Sequence, residues 1–152
     1  MAEKEFRKVL DADPKNASAL NYLGYMLADQ NVRLDEAQDL IKKAVDLEPS
    51  NYAFLDSLGW VYYRLNRLTE AEQELTRSLQ MSGKDPTIYD HLGDVYFKQG
   101  KLKEAIAQWQ SSLKAYSASS PSEAEPDELA KVQKKLDSAR VRLAKESGPR
   151  RN

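Results

Sequence analysis

Apolar residues recur along this chain at steps of three and four, the spacing that puts them on one face of a helix. Leu20, Leu23 and Leu27 form one stripe, and Leu55, Leu58 and Tyr62 form another. The pattern predicts helices over 17–30, 51–65 and 86–99, each followed by a second amphipathic stretch. Near the C-terminus Leu129, Val132, Leu136, Ala139 and Leu143 make a last stripe on a charged background. β-branched residues are sparse, and Ala, Leu, Glu, Lys, Gln and Arg dominate, so the expected class is all-α.

The stripes repeat. Leu23-Gly24-Tyr25-Met26-Leu27 aligns with Leu58-Gly59-Trp60-Val61-Tyr62 and with Leu92-Gly93-Asp94-Val95-Tyr96. Each is followed by a second shared phrase, Asp35-Glu36-Ala37, Thr69-Glu70-Ala71 or Lys103-Glu104-Ala105. The Ala-to-Ala spacing is 34 residues both times, whereas the Leu-Gly spacing is 35 and then 34, which places one extra residue within Asn31-Val32-Arg33. Gly24, Gly59 and Gly93 fall inside helical patterns, where Gly costs about 1 kcal/mol relative to Ala. Its recurrence implies that a neighbouring helix approaches the backbone there, with Ala37, Ala71 and Ala105 as the facing small surface. Each unit is then a helical hairpin, and hairpins must stack because none buries its stripe alone.

These phrases resemble the tetratricopeptide repeat (TPR) family. Its bulky second-helix position is filled by Ile41, Leu75 and Trp109, its small position by Ala44, Ser78 and Ser112, and Pro49 closes the first repeat. The resemblance implies a right-handed α-solenoid of TPR hairpins over 15–49, 50–84 and 85–118, then a linker over 119–126, a capping helix over 127–146 and a tail over 147–152. Ala2, Phe6, Val9 and Pro14 sit one period before Ala37, Ile41, Ala44 and Pro49. Residues 1–14 therefore read as the second helix of a truncated repeat, and further repeats are expected to precede Met1. The stretches Leu20–Tyr25 and Leu55–Tyr63 are similar to late repeats of large bacterial TPR proteins, some of which are envelope lipoproteins serving as adaptors.

Composition narrows the chemistry. With no Cys, disulfides, thiolate metal sites and a Cys nucleophile are excluded. A net charge of −1, with Lys and Arg dispersed apart from Arg150-Arg151, argues against nucleic acid as partner. No apolar run approaches the roughly 20 residues that cross a bilayer, so no membrane insertion is expected. The compartment stays open between cytoplasm and bacterial periplasm. His91, the single histidine, stands with Asp90 and Asp94 but lacks the rest of a ligand set. The glycines are isolated, so no phosphate loop forms. No catalytic, cofactor or metal residue is assigned, and the chain reads as a non-enzyme.

In TPR hairpins the first helices line a concave face. Carried onto this chain, the resemblance gives Asn21, Tyr25 and Asp29, then Asp56, Trp60, Tyr63 and Arg64, then Asp90, Asp94, Phe97 and Lys98 as a peptide-binding groove, with Ser18, Ala28, Ala53 and Thr87 between them. Tyr62, Tyr96 and Trp109 fall at core positions. Four aspartates against one Arg and one Lys make the groove acidic, and Trp60 beside Tyr63 is expected to be an exposed aromatic anchor. The expected partner is a protein or peptide segment with basic and apolar side chains, held within a larger scaffold or adaptor. The clamp with which some TPRs hold a chaperone C-terminal carboxylate needs cations, yet Asn21, Tyr25, Ser57, Thr87 and His91 occupy its places. The alternative is a structural self-association domain, a weak homodimer joined through Phe6, Val9 and Leu10 or through the C-terminal heptad stripe.

Overall fold

The computed structural model describes residues 2–118 and 126–147; nearly all of the expected linker and tail, including Arg150-Arg151, lies outside the described residues. These residues form eight α-helices and no strand: α1 (Ala2–Ala12), α2 (Ala17–Asp29), α3 (Leu34–Leu47), α4 (Tyr52–Arg64), α5 (Leu68–Ser82), α6 (Pro86–Lys98), α7 (Leu102–Ala118) and α8 (Pro126–Ser147).

The helix starts follow from local chemistry. Asn16, Asn51 and Asp85 precede α2, α4 and α6, and each side chain accepts a hydrogen bond from a first-turn N–H: Ala19 at 3.0 Å, Ala53 at 3.0 Å and Thr87 at 2.8 Å. Pro86 enters α6 at its first turn, where no N–H is required. The same three helices end alike. Asn31, Asn66 and Gly100 take positive φ of 57°, 63° and 82°, and the N–H groups that follow fold back onto the carbonyls of Leu27, Tyr62 and Tyr96. The extra residue of the first repeat also shows itself here. Arg33 adopts φ 45° before α3, a second left-handed residue that the other two turns lack.

The chain divides into two compact units, one running to Ser82 and the other starting at Gly83. In the first, α1 packs on α2, α2 on α3, α3 on α4 and α4 on α5, while α2 also runs beside α4. In the second, α6 packs on α7 and α7 on α8.

The glycines have a sharper reason than facing alanines. A Cβ built on Gly24 would lie 2.5 Å from Ile41 Cγ1, and one on Gly59 would lie 2.6 Å from Leu75 Cγ. One on Gly93 would strike the indole of Trp109. The bulky residue of each hairpin's second helix therefore sits directly on the glycine of its first. Ala37 and Ala71 contribute mainly their carbonyl oxygens, at 3.0 and 3.3 Å from the same points. Ala37, Ala71 and Ala105 are all fully buried.

The two ends are held differently. No residue of α1 is buried; Phe6 stacks on Tyr22 at 5.9 Å, and Arg7 pairs with Glu3 of its own helix and Glu36 of α3. In α8 the expected stripe turns inward within the second unit: Val132, Leu136 and Ala139 are buried with Ala105 and Trp109. The C-terminal helix is thus a cap on α7.

Candidate functional site

The first unit brings two predicted sets of residues to neighbouring helices. Asn21, Tyr25 and Asp29 stand four apart along α2, and Asp56, Trp60 and Arg64 four apart along α4, so each set shares one helix face. The side chains join toward the C-terminal ends. Arg64 reaches Asp29, with Nη2 3.8 Å from Oδ1 and donating to the Asp29 carbonyl at 3.4 Å. Its guanidinium lies 5.0 Å over the Trp60 ring, and Tyr63 stacks on that ring at 4.9 Å with 20° between planes. Tyr25, Asp56 and Tyr63 are half-buried.

Trp60 corrects the sequence expectation. It is 9% exposed, so it is a buried ring rather than an open anchor. The stack with Tyr63 and the cation above it account for part of that cover: the neighbours three and four positions on, one turn along α4, close over the indole. The accessible aromatic surface on this face is accordingly that of Tyr63 and Tyr25. Asn21 is buried as well, at 7% exposed.

The second unit places Asp90, Asp94, Phe97 and Lys98 on α6, but α8 engages three of them. Lys135 Nζ lies 2.9 Å from Asp90 Oδ1 and 3.0 Å from Asp94 Oδ1. Asp90 also accepts a hydrogen bond from Trp109 Nε1 at 3.1 Å. Arg142 sits 5.3 Å over the Phe97 ring. Burial raises the Asp94 carboxyl above its usual range, more than Lys135 lowers it. Burial also works against charge on Lys135, yet Asp94 and Asp90 outweigh it and raise its pKa. Lys135 and Arg142 were invisible as site residues in the sequence, because nothing in a heptad stripe tells which flanking cation meets which acid.

Other chemistry finds little footing. His91 is buried between Asp90 and Asp94 in sequence, and both carboxylates are committed to Lys135. Among the described residues no three His, Cys, Asp or Glu side chains are placed to hold a metal ion. No helix among them is long and apolar enough to cross a membrane.

Comparison with known proteins agrees with this architecture. Family models described as tetratricopeptide repeat match residues 2–37, 31–86 and 87–118. A TPR repeat-containing protein of Pseudomonas aeruginosa, PA4667, is 52% identical over 66 residues, which is 43% of this chain and 11% of that protein. PcrH in complex with the chaperone binding region of PopD superposes with a TM-score of 0.73 at 19% identity, covering 83% of this chain and 92% of PcrH. The first TPR of Spaghetti (RPAP3), bound to an HSP90 peptide, superposes with a TM-score of 0.70 at 22% identity, covering 84% of this chain and 95% of that domain.

Proposed function

Because the chain belongs to the tetratricopeptide-repeat family, a family of protein-interaction modules, we propose that it binds a peptide or protein segment on the α2–α4 face of its first unit. The observation that carries this reading is the half-buried Tyr63 stacked at 4.9 Å on the buried Trp60. A ring fixed from beneath loses little freedom when a ligand covers it, which is what makes aromatic anchors strong. Asp56 lies two turns before Tyr63 on α4 and Tyr25 on the adjacent α2, so the face offers apolar surface with a carboxylate. Arg64 and Asp29 are joined to each other, and Asp56 adds a half-buried carboxylate to the same face. The reading is of a ligand with apolar side chains and Lys or Arg.

PcrH and the RPAP3 domain are described with protein or peptide ligands, and their likeness supports the interaction role. The 66 residues matched in the Pseudomonas aeruginosa relative are a small share of it, which fits a module within a larger scaffold or adaptor. Self-association through the C-terminal stripe is the weaker reading, because Val132, Leu136 and Ala139 are spent on α7.

Panning a random peptide library against the full chain, then mapping hydrogen exchange with a selected peptide bound, tests the proposal. The expected result is enrichment of aromatic or aliphatic residues together with Lys or Arg, and slowed exchange in α2 and α4. Protection confined to α3 or α5 would place the ligand elsewhere and refute it.

A further inference from the structure

The second unit answers a different question: what kind of helix its own surface accepts. Trp109 and Ala105 form an apolar floor, Asp90 and Asp94 border it one turn apart on α6, and Phe97 lies a turn further on. α8 complements each part. Leu136 and Ala139 enter the floor, Lys135 spans both carboxylates, and Arg142 covers the Phe97 ring. Lys135 and Arg142 are seven residues apart, two turns along one face of the helix. With α8 seated, the side chains of Asp90 and Asp94 are only 14% and 13% exposed. Two nearly covered carboxylates in mutual repulsion require a cation, so this surface selects its occupant by charge as well as by shape.

α8 is held along one stripe and leaves the rest of its surface to solvent. Only Val132, Leu136 and Ala139 of its 22 residues are buried. A second helix with the same pattern and further contacts of its own could therefore take its place.

We propose that the α6–α7 surface is an exchangeable docking site for a basic amphipathic helix, held in cis by α8 and open to a partner helix carrying Lys and Arg seven residues apart beside small or aliphatic side chains. This rests on the reading of the chain as an interaction module, but on a separate surface from the α2–α4 face. The carboxylates and Phe97 that the repeat pattern assigns to ligand binding would then be ligand-binding residues guarded by the chain's own helix.

The probe is a fluorescent synthetic peptide of residues 126–147, titrated into the full-length chain by anisotropy. The Lys135→Glu chain, whose own helix now repels the two carboxylates, should bind this peptide at least about tenfold more tightly than the unsubstituted chain. Adding Asp90→Asn and Asp94→Asn should abolish that gain, and a peptide carrying Lys135→Glu should bind neither chain. Should Lys135→Glu lose helical circular dichroism, Lys135→Met decides, since it removes the charge and keeps the stem. Equal affinity of substituted and unsubstituted chains, or binding indifferent to the two Asn substitutions, overturns the proposal. Tyr63→Ala in the first unit should leave peptide affinity unchanged; a loss there would put the probe on the α2–α4 face and equally overturn it.

Discussion

Trp109 lies flat in the space that a side chain on Gly93 would need, so the two residues fix how closely α7 approaches α6. Ile41 on Gly24 and Leu75 on Gly59 repeat the arrangement, but those side chains can turn aside more easily than a rigid indole that is 2% exposed. Gly93→Ala is therefore expected to destabilise the second unit by about 2–3 kcal/mol, despite its better helix propensity, and Gly59→Ala by less. Urea unfolding of both variants checks the order; equal midpoints would mean that the indole moves freely.

Ser78 and Ser112 are fully buried and donate to first-turn carbonyls, Ser78 to Tyr52 at 2.7 Å and Ser112 to Pro86 at 2.8 Å. The first repeat has Ala44 at the corresponding place, so the bond adds to a hairpin without being required by it. Ser78→Ala should cost about 1 kcal/mol, measurable by chemical denaturation. The cap Asn51, which accepts from Ala53 and Phe54, should cost about the same when changed to Ala.

Trp60→Ala separates packing from binding. Removing a ring that is 9% exposed, stacked on Tyr63 and capped by Arg64, should lower stability by about 3 kcal/mol. A thermal midpoint close to that of the unsubstituted chain would restore Trp60 to the exposed surface.

The N-terminal helix should detach in acid and in salt. Hydrogen bonds from Arg33 and then Arg7 hold the Glu3 carboxyl below its usual value of 4.5. A carboxyl lowered on folding stabilises the fold above its unfolded pKa, and that contribution fades as pH falls through the folded value. Amide exchange in α1 should therefore accelerate selectively as pH is lowered from above 4.5 to below it, after correction for intrinsic exchange. Raising ionic strength at neutral pH should act in the same direction, because these charges are at the surface. Exchange in α1 that tracks the rest of the unit would show that Phe6 on Tyr22 suffices to hold it.

Much of the fold was legible because the repeat states its geometry several times. Gly24, Gly59 and Gly93 marked the close approaches, and the 35-residue spacing foretold one extra residue within Asn31–Arg33, though not that Arg33 would take a left-handed conformation there. What escaped were side-chain matters that no period encodes. Trp60 stands at a groove position by register, but part of its cover comes from Tyr63 and Arg64 of the same helix, a rotamer choice rather than a pattern. Asp90 and Asp94 read as ligand contacts until Lys135 arrives from 45 and 41 residues away, an angle set by how α8 seats on Trp109.

The most direct test of the central claim is the affinity of the full chain for a library-selected peptide, with and without Tyr63→Ala and Asp56→Asn, beside their unfolding curves. Binding by the α2–α4 face predicts that Tyr63→Ala weakens the complex at least about tenfold and Asp56→Asn weakens it for peptides that carry a cation, while both chains stay folded at the assay temperature. Undiminished affinity in both folded variants would contradict it.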